Sequence, residues 1–257
     1  MEPDISVVLP TYNRAQALLD NFAFILALRG VREIVVVVDG STDDTPAVLK
    51  GWRDERLQLV RQPRNAGLPA ARNLGAAVAR GAWVLFAEDD CRFPPDYALV
   101  LREEAEAHRA DIVGAPMVWA TYEQELEAEL AAARARGDGP NGLDEVAGFP
   151  RQAVVTPLLP ATALVRRTVF DYVRFDEGYR GNAYREDTDF FIRATRRGFT
   201  CVLTPRTFFW EAGRWEGGCV RSPLWTEYWT ARNNWRFLRR HGRWLVDGGY
   251  ISSPLRE

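Results

Sequence analysis

Lysine is almost missing from this chain: of 33 basic residues only Lys50 is a lysine, and the rest are arginine. The formal charge is −2, so the basic excess that holds nucleic acid is absent. Cysteine is scarce as well. Cys91, Cys201 and Cys219 are odd in number, widely spaced and without a CxxC pair. That excludes a disulfide framework or zinc cluster as the organising principle and makes the reducing cytoplasm the expected compartment. Histidine occurs twice, as His108 and His241, neither with a partner at metal-ligand spacing, so both read as structural or exposed. No run reaches about 18 uninterrupted apolar residues, and the opening MEPDISVVLP is too acidic, and its apolar run too short, for a signal peptide. GxSxG, HExxH and Walker-type glycine runs do not occur, nor does an internal repeat.

What is present is a globular composition: 257 residues, 47% hydrophobic and 26% charged. The length suits one large domain, or one domain with an appendage. Arginine suits bidentate contacts to phosphate and carboxylate, although a GC-rich genome gives the same bias and is the simpler account.

The first half alternates strand and helix patterns. Apolar, β-branched runs at 5–9, 33–38, 57–60, 82–86 and 111–118 predict strands. Between them, helices are expected from Asn13 as cap to about Leu28, from Asp44 or Thr45, over 68–80, and from Pro94 to about His108. This spacing implies βαβ units and a mostly parallel sheet flanked by helices. The second half is less regular: helices over 123–136 and 186–197, strands over 160–166 and 200–203, and a helix from about Pro223 to His241. Residues 137–150 form a Gly/Pro/Asn/Asp loop, either a lid or a plain surface loop. Domain boundaries are expected at 1–210 and 211–257, with the first unit divided near residue 118.

Ligands of a parallel sheet bind beyond the carboxyl ends of its strands. Three polar clusters fall there: Thr11 to Asn13, Asp39 to Asp43, and Glu88 to Asp90. Asp39 closes a buried strand, where its carboxylate suits a base N–H or a ribose hydroxyl, and Gly40 leaves the backbone open to a ligand; a plain turn with Ser41 or Asp43 as cap accounts for the same residues. Glu88, Asp89 and Asp90 repel one another unless something positive lies between them. Such hard oxygens suit Mg²⁺ or Mn²⁺; a solvated acidic turn is the alternative. Residues 65–73 lead into a helix whose first amides, with Arg72, suit a diphosphate, unless Arg72 simply faces solvent. Glu186, Asp187 and Asp189 open another helix. Acids there gain from the helix dipole without any chemistry; functionally, one would be a general base.

Taken in order, VVLPTYN at 7–13, VDGSTD at 38–43, NAG at 65–67 with ARN at 71–73, FAEDD at 86–90, and EDTDF at 186–190 with Arg193 and Gly198 resemble the family 2 glycosyltransferases, inverting enzymes of the GT-A fold. The resemblance spans about residues 5–204. It implies a nucleotide pocket of Pro10, Thr11 and Asn13, with Asp39 on the base and Arg72 near the nucleotide. Glu88 and Asp89 lie on the donor, and Asp90 is the metal ligand of a DxD-type site. The acidic pair is Glu186 and Asp187, with Asp187 as base. Three departures stand out. Val38 replaces the first of two acids before the Gly-Ser turn, and Glu88 replaces the first Asp of DxD. Phe208 to Glu211 stand where many members carry a metal-binding His, leaving Glu211 to serve instead or the metal with fewer ligands. The resemblance thus implies a divalent cation and a UDP-, dTDP- or GDP-sugar donor. It leaves the acceptor open among saccharides, lipid-linked glycans, natural products and peptide side chains. A non-catalytic sugar-nucleotide or partner-binding module is the alternative. A sugar nucleotidyltransferase is a further one, although it needs a glycine-rich basic loop after the first strand, where residues 10–14 hold no glycine.

Toward the C terminus, Leu224, Tyr228, Ala231, Trp235 and Leu238 recur at helical spacing, with Arg232, Arg236, Arg239, Arg240 and Arg243 among them. Such a helix either packs on the catalytic unit or lies in a membrane interface, peripheral to the inner face.

Overall fold

The computed structural model describes residues 4–120, 123–136, 149–211, 218–219 and 222–251. The apolar runs pair as expected. Strand β1 (Ile5–Thr11) is buried along its whole length, and β2 (Val31–Asp39) at every position but one. Both are central and covered on two faces. With β3 (Leu57–Gln62) and β4 (Trp83–Phe86) they pair in parallel in the order β3-β2-β1-β4. The sheet continues through β9 (Leu164–Arg166), β6 (Ile112–Gly114) and β10 (Cys201–Leu203) to β8 (Val154–Val155). Only β9 and β8 run against the rest, so the sheet is mostly parallel and crosses both parts of the chain.

Alternate side chains enter opposite faces, as the two-residue strand period requires. Val7, Leu9, Ile34 and Val36 pack with Phe22 and Ile25 of α1 (Ala15–Leu26). Val8, Val35, Val37, Val84 and Phe86 pack with Ala71 and Ala76 of α3 (Leu68–Val78). Helix α4 (Tyr97–Ala107) joins the first face, while α6 (Glu186–Thr195) and α7 (Pro223–Asp247) close the other side and one end.

The single strand expected at 111–118 is two. Pro116 offers no amide for the ladder, and after it β7 (Met117–Trp119) leaves the large sheet. It joins a small one with β11 (Phe209–Glu211) and β5 (Cys91–Arg92). Strands β8 and β11, too short for periodicity to reveal, are additions to the sequence reading. Helix α2 (Thr45–Gly51) and α5 (Glu123–Arg136) lie where they are expected. Residues 137–148 of the expected loop lie outside the described residues. Asn13 does not cap α1. It sits in the left-handed region at φ 52°, one residue ahead of the cap position at Arg14.

Gly40 corrects a second expectation. It also has a left-handed φ, 68°, but a Cβ there would meet the backbone of Arg64 and Asn65 at 2.3 Å. What approaches Gly40 is the chain itself. Gly40→Ala therefore combines backbone strain with a collision against main chain. It is expected to lower stability by about 1–3 kcal/mol, seen as a lower denaturant midpoint at unchanged slope.

Candidate active site

Chain order makes β1 and β4 the place where the sheet reverses its direction of growth: β2 and β3 are added on one side of β1, and β4 on the other. Loops diverge at such a point and leave a crevice at the carboxyl edge. Pro10, Thr11, Asp39, Glu88, Asp89 and Asp90 all line the cleft found there. Thr11 bridges the crevice floor, its Oγ1 donating to Asp89 Oδ2 at 2.7 Å.

Asp39, at the end of β2, is buried and organises the third loop. Its Oδ1 accepts from the Ala66 amide and from Gln62 Nε2, both at 2.8 Å, and its Oδ2 accepts from the Gly67 amide at 2.9 Å. Burial raises the carboxyl above its ordinary value, and the two amides oppose that shift. Asn13 ties the first loop to the second: its Oδ1 accepts the Thr42 amide at 2.7 Å, and its own amide donates to Ser41 Oγ at 3.0 Å. It is not among the cleft-lining residues, so its part is to shape the wall rather than form it.

Desolvation in the cleft raises the Glu88 and Asp89 carboxyls, each to about 7. The Asp90 charge adds to this, while the nearby guanidiniums resist it. The local demand is for positive charge, and Arg14 meets part of it. Its Nη2 lies 3.2 Å from Asp90 Oδ2, and its Nε 3.6 Å from Asp89 Oδ1. Arg14 was not singled out from the sequence. The available signal was its place in the same loop as Thr11 and Asn13.

Arg72 is neither solvent-facing nor part of the cleft wall; it is 1% exposed. Its guanidinium lies between the rings of Phe86 and Phe175, 5.5 Å from each centroid. Nη2 donates to Glu88 Oε1 at 2.8 Å, and Nε lies 3.2 Å from Glu186 Oε1. It is a buried tie between the β4 loop and the first turn of α6, which corrects its expected contact with the diphosphate. Glu186 is equally buried, and burial pushes its carboxyl up to about 8 despite Arg72. An acid buried on Arg72 does not reach an acceptor, so Glu186 is a positioning residue. Asp187, the next residue, is partly exposed but, like Asn13 and Arg72, is not among the cleft-lining residues; its charge acts on Arg72, Glu88 and Glu186.

The loop entering α6 is held in uncommon geometry. Gly181, Ala183 and Arg185 all have positive φ, the last at 72°. Asn182 lines the cleft and donates to Thr230 Oγ1 of α7 at 2.7 Å. Arg185 stacks over Tyr184 at 4.7 Å. Helix α7 therefore supports a cleft wall, a part the sequence did not reveal. On the opposite side, Glu211 lies in the cleft and pairs across the small sheet with Cys91. Glu88, Asp90 and Cys91 each offer a ligand atom within 4.8 Å of the others. Burial, with the surrounding acids, pushes the Cys91 thiol well above its ordinary value, so it is a neutral S–H and the carboxylates are the effective donors.

This sheet, with its crevice at the switch point, is the GT-A architecture. A mannosyltransferase, PcManGT from Pyrobaculum calidifontis, solved with GDP-Man and Mn²⁺, superposes with a TM-score of 0.66 at 19% identity, covering 93% of this chain and 65% of that one. TarS from S. aureus (residues 1–349), solved with UDP-GlcNAc, gives 0.64 at 18% identity, covering 97% and 75%. In sequence, the family described as Glycosyl transferase family 2 matches residues 6–173, and the chain belongs to it. The succinoglycan biosynthesis protein ExoO of Rhizobium meliloti is 38% identical over 111 residues, 43% of this chain and 32% of that protein. The chain spans between 13% and 68% of the length of the curated relatives it matches.

Proposed function

We propose that this chain transfers a sugar from a nucleoside-diphosphate sugar to an acceptor hydroxyl, with inversion at the anomeric carbon. The observation that supports this reading is that Asp39 and the acids at 88–90 line one cleft at the sheet edge, and that buried Arg72 ties Glu88 to Glu186 at the start of α6. Solved neighbours of this fold hold UDP-GlcNAc or GDP-Man, which supports a nucleoside-diphosphate donor.

Carboxylates drawn together against their repulsion, with a neutral thiol beside them, are the donor set of a hard divalent cation and not of zinc. Asp90 and Glu88 would hold Mn²⁺ or Mg²⁺, with Glu211 across the small sheet as a further oxygen. When bound, such an ion neutralises charge on the departing diphosphate. The chain's own residues do the rest. The second and third loops, fixed by Asp39, form the nucleotide wall. Arg72 holds Glu186, and with it the first turn of α6, against the β4 loop. Asp187 accepts the acceptor's proton while the acceptor oxygen bonds to C1 and the C1–O bond to diphosphate breaks. Alcohols lose protons far above the carboxylate range, so proton transfer follows the onset of bond formation.

The test is a thermal-shift and calorimetry screen of UDP-, GDP- and dTDP-sugars with and without Mn²⁺, followed by an assay for released nucleoside diphosphate. One donor is expected to bind in a cation-dependent way and to be turned over. Asp90→Asn is expected to weaken cation-dependent donor binding at least about tenfold, the loss of one charged contact. Equal cation dependence in that variant refutes the metal assignment, and binding without any turnover favours a non-catalytic module.

A further inference from the structure

Helix α7 has two faces of different character. Asn233, Phe237, His241 and Leu245 are buried against the rest of the fold. On the outer side, Leu224 is 79% exposed, Tyr228 57% and Trp235 61%. Positions 224, 228, 231 and 235 fall on one stripe of a helix of 3.6 residues per turn, while Leu238 at its edge packs inward. Arg232, Arg239 and Arg243, all exposed, run along one flank of it. The Arg239 guanidinium lies 4.6 Å from the Trp235 ring centre, and that of Arg232 5.5 Å from the Trp229 ring centre. The other two arginines of the helix are engaged inward: Arg236 with Asp176 at 2.8 Å, and Arg240 with Asp176 at 2.7 Å and Asp189 at 2.9 Å. Glu227 and Asp247 are the acids of this helix, near its two ends. The outer stripe thus pairs large apolar and aromatic side chains with a row of positive charge that no acid among the described residues pairs with. No described helix is long and apolar enough to cross a membrane.

We propose that the outer face of α7 docks on the surface of an anionic lipid bilayer. Tyr228 and Trp235 enter the headgroup boundary with Leu224, and Arg232, Arg239 and Arg243 meet lipid phosphates. Tryptophan and tyrosine have an apolar body and a polar tip, which is the chemistry of that boundary. Arginine charge of one sign matches an anionic surface, whereas a second copy of the same face brings charge of the same sign. The same helix frames the cleft. Trp229 packs so closely on Gly181 that a Cβ there would meet its ring at 2.2 Å, and Thr230 holds Asn182. A docked α7 therefore sets a cleft wall within about 10 Å, one helix diameter, of the bilayer surface. The docking does not depend on the transfer reading. Its further meaning, access to an acceptor anchored in the bilayer, rests on that reading.

The test is flotation of the whole chain with phosphatidylcholine vesicles, with and without about one-third phosphatidylglycerol. Co-flotation is expected with the anionic vesicles alone, declining as salt is raised. Each arginine near an anionic surface is worth about fivefold in partition, so R232Q/R239Q/R243Q is expected to lose about a hundredfold. The corresponding triple Lys variant keeps its binding. Trp235→Ala weakens flotation with thermal unfolding unchanged, since that side chain faces solvent. Absence of co-flotation, equal co-flotation with both vesicles, or a wild-type dimer that Trp235→Ala converts to monomer each overturns the proposal. None of these measurements requires turnover, so a failed transfer assay leaves the docking result intact.

Discussion

Asp187→Asn is expected to lower sugar transfer by about 10²–10⁴-fold, the range general-base catalysis supplies, while donor affinity measured by calorimetry stays near the wild-type value. Of the two acids opening α6, Glu186 is buried on Arg72, whereas Asp187 beside it is partly exposed. Asn preserves shape and removes the basic oxygen. Glu186→Gln is the companion variant: Glu186 turns its carboxyl to buried Arg72, and burial pushes that carboxyl above its ordinary value. Gln keeps the shape of a side chain that faces Arg72 and not the acceptor, so its cost to transfer is far smaller. Equal losses in the two variants, or wild-type turnover with Asn at 187, would reverse the assignment.

Asp189→Ala is expected to cost about 3–5 kcal/mol, the penalty for breaking a buried ionic cluster, against a total stability of about 5–15 kcal/mol. Asp189 is fully buried two residues beyond Asp187. It accepts from Arg193 Nε at 2.6 Å, Arg240 Nη1 at 2.9 Å and Tyr179 Oη at 3.2 Å, and lies 2.9 Å from His241 Nε2. Removing it leaves two guanidiniums and an imidazole without their shared acceptor and frees α7 from α6. Thermal unfolding should show a large fall in Tm. In the wild type, burial alone would raise this carboxyl, but His241, Arg193 and Arg240 overcome it and hold it at about 2, against 3.8 for a free Asp. The contribution is therefore complete above about pH 4 and is lost as pH falls toward 2, about 2 kcal/mol in all. In Asp189→Asn, that step in the acid unfolding profile should disappear.

The sheet was legible because buried parallel strands announce themselves as unbroken β-branched runs, and Val35 to Val38 is as plain a case as any. The cleft was legible because polar residues just beyond such runs share one edge whatever the side-chain detail. The partners of each charge were not. Arg72 has the sequence context of a phosphate ligand, yet it is enclosed by Phe86 and Phe175, which lie 14 and 103 positions away along the chain. Asn13 has the composition of a helix cap, yet its side chain reaches across to Thr42, because a residue at positive φ points away from the helix it precedes. Asp189 reads like its neighbours in an acidic first turn, and only the return of α7 shows that it anchors a helix rather than meeting a ligand.

The tie through Arg72 constrains how this scaffold is re-engineered. Because one guanidinium grips both the β4 loop and α6, these two segments are not interchangeable cassettes. A chimera that grafts either one from a distant homologue must bring the matching carboxylate with it, or leave a stranded cation at its seam.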